Sequence, residues 1–154
     1  MKSWRIERAV PEHIPAIAAN MREADRREVW AWRRETPEAA LRFSLSRSLA
    51  AWTGVIDERP ALMWGAGAAS LLSSVGNPWL LGTDAILSVQ RPFLLHSGAF
   101  VAHMQAMFPR LENHVHAGNV LSIRWLKWCG FTIDDAPEEF NGEDFFMFWR
   151  GADA

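Results

Sequence analysis

Tyrosine is absent from the 154 residues and cysteine occurs once. No apolar run approaches the roughly 18 residues that span a bilayer. A single thiol, Cys129, excludes an internal disulfide framework and fits a reducing compartment. Neither sign of charge dominates: 16 basic residues against 18 acidic leave a net charge of −2, so no bulk field draws the chain to nucleic acid or to an anionic membrane. The opening residues 1–8 carry no apolar stretch of the kind a secretory signal needs, and a cytoplasmic location is expected. Linkers rich in Pro, Gly or Ser, internal repeats and low-complexity tracts are missing as well, so residues 1–154 are expected to form one domain. The lack of tyrosine has a chemical consequence: no phenol is available for proton transfer.

What the chain does have is a composition of 49% hydrophobic and 22% charged residues, which is that of a globular core. Trp4, Ile6 and Arg8 alternate with Arg5 and Glu7 as a short strand. Pro11 opens a helix with Ile14, Ile17, Met21 and Ala24 at three- and four-residue steps. Its continuation over 22–35 is dense in mixed charge and reads as a solvated side. Thr36-Pro37-Glu38 is a helix start: a hydroxyl cap, a proline at the first position and a carboxylate at the positive dipole end. Leu41, Leu45, Leu49 and Trp52 would then share one helix face. Residues 54–56 and 61–64 read as a hairpin, Asn77-Pro78 as a turn and 79–82 as a buried strand. A third helix carries Phe93, Ser97, Phe100, Met104 and Met107 on one stripe and stops at Pro109. Residues 110–116 alternate as a strand, with Glu112, His114 and His116 on one face. The fourth helix, 119–129, has Asn119 as a competent cap and Gly130 as a left-handed terminator. Residues 131–133 and 145–149, around the turn Asn141-Gly142, complete the pattern. Strand–helix–strand connections within a mostly antiparallel count imply an α/β fold, a mixed central sheet with helices on both faces.

Several local features invite chemistry and do not carry it. Gly65-Ala66-Gly67 lacks the third glycine of a dinucleotide fingerprint, where Ser70 stands, and no strand–turn–helix surrounds it; small residues passing close to a neighbour explain it better. His114 and His116 share a strand face and His103 precedes them, but no further metal ligand follows by spacing, so no metal is expected. Cys129 sits at a helix C-terminus, where the dipole raises a thiol's pKa, and reads as a packed core cysteine. No Gly-x-Ser-x-Gly elbow is present. Arg124 and Lys127 share a helix face without amounting to a nucleic-acid footprint.

The segment Asn119-Val120-Leu121-Ser122-Ile123-Arg124-Trp125-Leu126-Lys127-Trp128-Cys129-Gly130-Phe131 resembles the helix pattern N-x-x-A-x-x-x-Y-x-x-x-G-F of the GNAT superfamily of acyl-CoA-dependent N-acyltransferases, and the element order extends that resemblance over nearly the whole chain. Within the superfamily, the 118–127 stretch and the 79–82 strand look most like a small phage-encoded branch whose members are labelled internal virion or assembly-related proteins. The resemblance implies a slot between the strands ending near Asp84 and near His116, which would take the pantetheine arm of acetyl-CoA or another acyl-CoA. Asn119, Arg91 and Ser88 would contact the cofactor, with Arg91 meeting a phosphate. Glu112 or His116, near the mouth of the slot, would be the general base acting on an acceptor amine. Two departures stand out. The family's glycine-bearing pyrophosphate loop corresponds to residues 85–92, which contain no glycine and end in Pro92. The family's tyrosine falls on Leu126. The resemblance therefore implies either an N-acyltransferase with a modified site, binding acetyl-CoA weakly, or a non-catalytic scaffold with a phage or host protein as partner, in the host cytoplasm or the virion.

Overall fold

The computed structural model describes residues 3–152. Eight strands form one mixed sheet: β1 (Trp4–Arg8), β2 (Ser48–Ile56), β3 (Arg59–Ala68), β4 (Val75–Gly82), β5 (Arg110–His116), β6 (Thr132–Ile133), β7 (Glu138–Phe140) and β8 (Glu143–Gly151). The order is β1-β2-β3-β4-β5-β8-β6, with β7 also on β8. Only β4 and β5 run parallel. One face carries α1 (Ile14–Ala19), α2 (Glu23–Arg33) and α3 (Pro37–Arg47), and the other carries α4 (Gln90–Met107) and α5 (Val120–Trp128). Strand alternation feeds both cores. Met63 and Leu81 meet Ile14, Ile17 and Leu41, whereas Leu62, Trp64, Leu111 and Val115 meet Phe93, Val101, Met104 and Leu126.

The structure departs from the sequence pattern at identifiable places. The expected helix from Pro11 to Glu35 is broken at residues 20–22, because the Arg22 N–H donates to Gly82 O at 2.8 Å and Met21 bridges Thr83, pinning the chain to the end of β4. The next helix starts as expected, with Thr36 Oγ accepting from the Ala39 N–H, but ends at Arg47. Leu49 and Trp52 belong to β2, where Trp52 opposes Trp64; cross-strand pairing overrides a helical stripe. Gly65 and Gly67 lie within β3. A Cβ on Gly65 would come within 2.5 Å of Ala50 O, so the glycine serves the close approach of two strands. Asn77-Pro78 is strand, not turn. The three-residue β7 escaped the pattern. Asn141 (φ 52°) and Gly142 (φ 80°) do form the expected turn, joining β7 to β8.

The parallel pair is what positions the site. β4 and β5 are adjacent, as expected of the strands before the third and fourth helices, but their ladder holds only Val75 opposite Arg110 and Gly76 opposite Leu111. Beyond that the strands diverge. Two amide side chains span the first part of the divergence: Asn77 Nδ2 donates to Glu112 O at 2.9 Å, and Asn113 Nδ2 donates to Pro78 O at 3.0 Å. Pro78 is tolerated in a central strand because its missing N–H faces this gap rather than β3.

Candidate active site

The open end of the gap is closed by two carboxylates from one face of α2. Asp25 Oδ2 accepts from the Gly82 N–H at the end of β4 (3.0 Å), and Glu28 Oε2 accepts from the His116 N–H at the end of β5 (2.9 Å). Asn119 links them, its Nδ2 donating to Asp25 Oδ1 (3.0 Å) and to Glu28 Oε2 (3.1 Å), while Arg22 donates to Asp25 Oδ1 and to Asn119 Oδ1. Asp25 and Asn119 are both fully buried. Burial pushes the Asp25 pKa upward, opposed by Arg22, the Gly82 N–H and Asn119. Burial, with the Asp25 charge added to it, raises Glu28 to about 7. A carboxyl poised there exchanges a proton readily near neutral pH.

Glu28 faces a cavity of about 630 Å³ bounded by α2, α3, β4, β5 and β8. Trp32, stacked on His114 at 5.0 Å and tilted against Phe140 at 4.6 Å, builds one wall. A smaller cavity, about 230 Å³, lies between α4 and α5 on the other side of the sheet. Leu80, Ser122 and Trp125 line both, so the two adjoin at these side chains. Trp125 is fixed there by its Nε1–H donating to Ser97 Oγ at 2.8 Å. Along β4 the backbone polar groups of Pro78 and Gly82 point away from β3. By the same alternation the Leu80 N–H faces the gap, where the β4–β5 ladder has already ended.

The sequence-predicted residues fall in different places. Glu112 lines the larger cavity and pairs with Arg110 at 3.4 Å. His116 is buried with both ring nitrogens engaged: Nδ1 accepts from the Gly118 N–H (3.0 Å), which places the proton on Nε2, donating to Glu143 Oε1 (2.7 Å). Glu143 is held below the usual carboxylate range by His116 and Arg27. Asn119 does not cap α5 with its side chain; the amide is consumed by the carboxylate pair instead. Arg91 is exposed on the first turn of α4. Ser88 lies in a 3₁₀ segment, Asp84–Val89, with its Oγ donating to Ala85 O at 2.6 Å. The structure therefore brings His116 and Asn119 together with Asp25 and Glu28, and leaves Arg91 and Ser88 on the α4 side. His103 packs edge-on against Trp52, and His114 bonds Glu138. Leu126 is 3% exposed and reaches the larger cavity from α5. Asp25 and Glu28 were missed because 22–35 reads as a solvated helix; the available signal was that Asp25, Glu28 and Trp32, spaced three and four apart, share one helix face.

The architecture is the GNAT fold. A GNAT-family acetyltransferase from Streptococcus pneumoniae superposes with a TM-score of 0.64 at 15% identity, covering 97% of this chain and 100% of that one. A ribosomal-protein-alanine N-acetyltransferase from Brucella melitensis gives 0.69 at 12% identity over 96% and 99%. A Bacillus subtilis acetyltransferase in complex with CoA gives 0.62 at 11% identity over 97% and 99%. No protein-family model and no curated protein matches the sequence. No helix among the described residues is long and apolar enough to cross a membrane.

Proposed function

We propose that the protein is a GNAT-type N-acyltransferase that moves an acyl group from a pantetheine thioester to an amine, with Glu28 as general base. The observation that carries this is the seat of Glu28 across the open end of the β4–β5 gap, on the wall of the larger cavity. An activated acyl carbonyl is the chemistry that a thioester supplies when bound; the chain's own groups do the rest. Glu28 accepts the proton of the incoming amine, and its raised pKa of about 7 keeps it a competent base at neutral pH. The Leu80 N–H, facing the gap, donates to the carbonyl oxygen as negative charge grows there. Ser122, one turn before the apolar Leu126 and common to both cavities, offers a hydroxyl on the helix face where the family has its phenol. His116 positions Glu28 through its backbone N–H.

The residues fit a pantetheine arm better than they fit CoA. The gap and the apolar smaller cavity, lined by Ile86, Phe93, Leu121 and Trp125, suit a thin, uncharged chain. Residues 84–92 suit a pyrophosphate poorly. The Ala85 N–H donates to Thr83 Oγ1 and the Ile86 N–H to Thr83 O, and Pro92 has none to give. Residues at which a phosphate oxygen would approach the backbone closely all carry side chains.

The test is release of free thiol from S-acetyl-pantetheine in the presence of a panel of primary amines, in parallel with thermal unfolding. Amine-dependent thiol release that falls at least a hundredfold in Glu28→Gln is expected, as for loss of a general base. Saturating thioester should raise the melting temperature by about 5 °C. The absence of both release and a saturable shift would defeat the reading. It would favour a non-catalytic scaffold, a reading that the apolar Leu126 at the acid position supports; association with phage particles is then the assay, by mass spectrometry of purified virions.

A further inference from the structure

The face that α4 and α5 present to solvent is unlike the rest of the molecule. The chain has 18 acidic residues, yet the 18 residues of α4 and the 9 of α5 contain none. Their charges are Arg91, Arg124 and Lys127, all exposed and without an ion-pair partner among the described residues. Between and around them stand apolar side chains that an isolated surface would not favour: Leu95 is 72% exposed, Trp128 62%, Val120 54% and Leu87, in the preceding 3₁₀ segment, 51%. Trp128 lies across both helices, its Nε1–H donating to Leu94 O at 3.2 Å. The smaller cavity opens between these helices, bordered by Arg124 and Trp128, and adjoins the larger one at Leu80, Ser122 and Trp125.

We propose that this face docks an acidic helix of a carrier protein, which delivers the acyl group into the gap on its own phosphopantetheine arm. The inference rests on the acyl-transfer reading and changes the donor. CoA asks for a pyrophosphate cradle that residues 84–92 do not offer, whereas a protein-borne arm brings its binding energy from outside the slot. Carboxylates of a partner helix complement Arg91, Arg124 and Lys127, and its apolar residues cover Leu95, Val120 and Trp128. In the transfer the amine nitrogen bonds to the acyl carbon and its proton passes to Glu28. The carbon–sulfur bond breaks, and sulfur leaves with the electron pair to become the thiol of the arm on taking up a proton.

The experiment compares the full chain's affinity for an acetyl-loaded acidic acyl carrier protein, the same carrier without its arm, S-acetyl-pantetheine, acetyl-CoA and phosphatidylglycerol vesicles. The loaded carrier should bind about tenfold or more tighter than S-acetyl-pantetheine or acetyl-CoA, and raised salt should erode the gain. The double variant Leu95→Asp, Lys127→Glu alters two exposed residues that line neither cavity. It should remove that gain while leaving S-acetyl-pantetheine affinity within about twofold. Acetyl-CoA binding as tightly as the loaded carrier would overturn the inference, as would an unaffected double variant or recruitment to the vesicles in preference to the carrier. Binding of S-acetyl-pantetheine with no gain from the carrier overturns this inference alone. Failure of every thioester to bind overturns the acyl-transfer reading with it.

Discussion

Glu28 and Asp25 differ from Glu23, the other carboxylate of α2, in where the helix turns them, and that difference is measurable. With its pKa raised from 4.5 to about 7, Glu28 keeps its proton in the folded chain over a pH window in which the unfolded chain has released it. Its contribution to stability is therefore full below pH 4.5 and declines as pH rises to about 7, by no more than about 3 kcal/mol. Urea unfolding between pH 5 and 7.5 should show that decline, and Glu28→Gln should flatten it. Asn119→Ala should cost about 2–4 kcal/mol, because the buried Asp25 and the half-buried Glu28 lose the donor they share. An Asn119→Ala protein as stable as the parent would mean that the linkage contributes nothing. These residues show the limit of reading single positions. Asn119 was legible as important from its place in the motif, but its role was not, since a cap and a buried cross-link look the same in one dimension. Glu112 and His116 were legible because strand alternation announces which face they share; what His116 does with its ring depended on Gly118 and Glu143, and only the fold brings Glu143 to it.

Helices and strands were most legible where the local signals agreed. Thr36-Pro37-Glu38 started its helix, Gly130 (φ 84°) ended another and Asn141-Gly142 turned a hairpin. They were least legible where a partner distant in sequence decides. Leu49 and Trp52 continue a helical stripe yet belong to β2, because β3 offers a partner strand in which Gly67 opposes Ser48, Gly65 opposes Ala51 and Trp64 opposes Trp52. Asn77-Pro78 reads as a turn in every local sense, and becomes strand because one edge of β4 has no ladder to satisfy. Asn141 illustrates an element held by more than its own propensity. Its backbone takes the left-handed conformation of the β7–β8 turn, while its Nδ2 donates to Ala31 O at 2.7 Å and to Trp32 O at 3.4 Å, satisfying carbonyls at the end of α2. Asn141→Ala should lose both functions, costing about 1–2 kcal/mol by chemical denaturation. It should also speed amide exchange in β7 ahead of β5. Equal exchange in both strands would deny the link.

For the molecule as a whole, the single thiol is a built-in reporter. Burial raises Cys129 to about 11, so at pH 8 roughly one molecule in a thousand carries a thiolate. An aromatic disulfide reagent should label the native chain slowly and the unfolded chain at once, with the native rate following global opening as denaturant is added. Complete native labelling within seconds would place Cys129 outside the core. The mixed sheet with a helical layer on each face was readable from element order alone, since alternating strands and helices leave few packings. The parting of β4 from β5 was expected only through the family resemblance. The Asp25–Asn119–Glu28 junction across that parting was not readable by either route, because its members come from segments 91 and 94 residues apart in sequence. That separation has a consequence for descent. No one of the three can change alone without stranding a buried charge or amide, so lineages should pass through paired replacements. Homologues that lose the acid at position 25 should be found to have lost Arg22 or the amide at 119 as well, and those that keep it should keep all three.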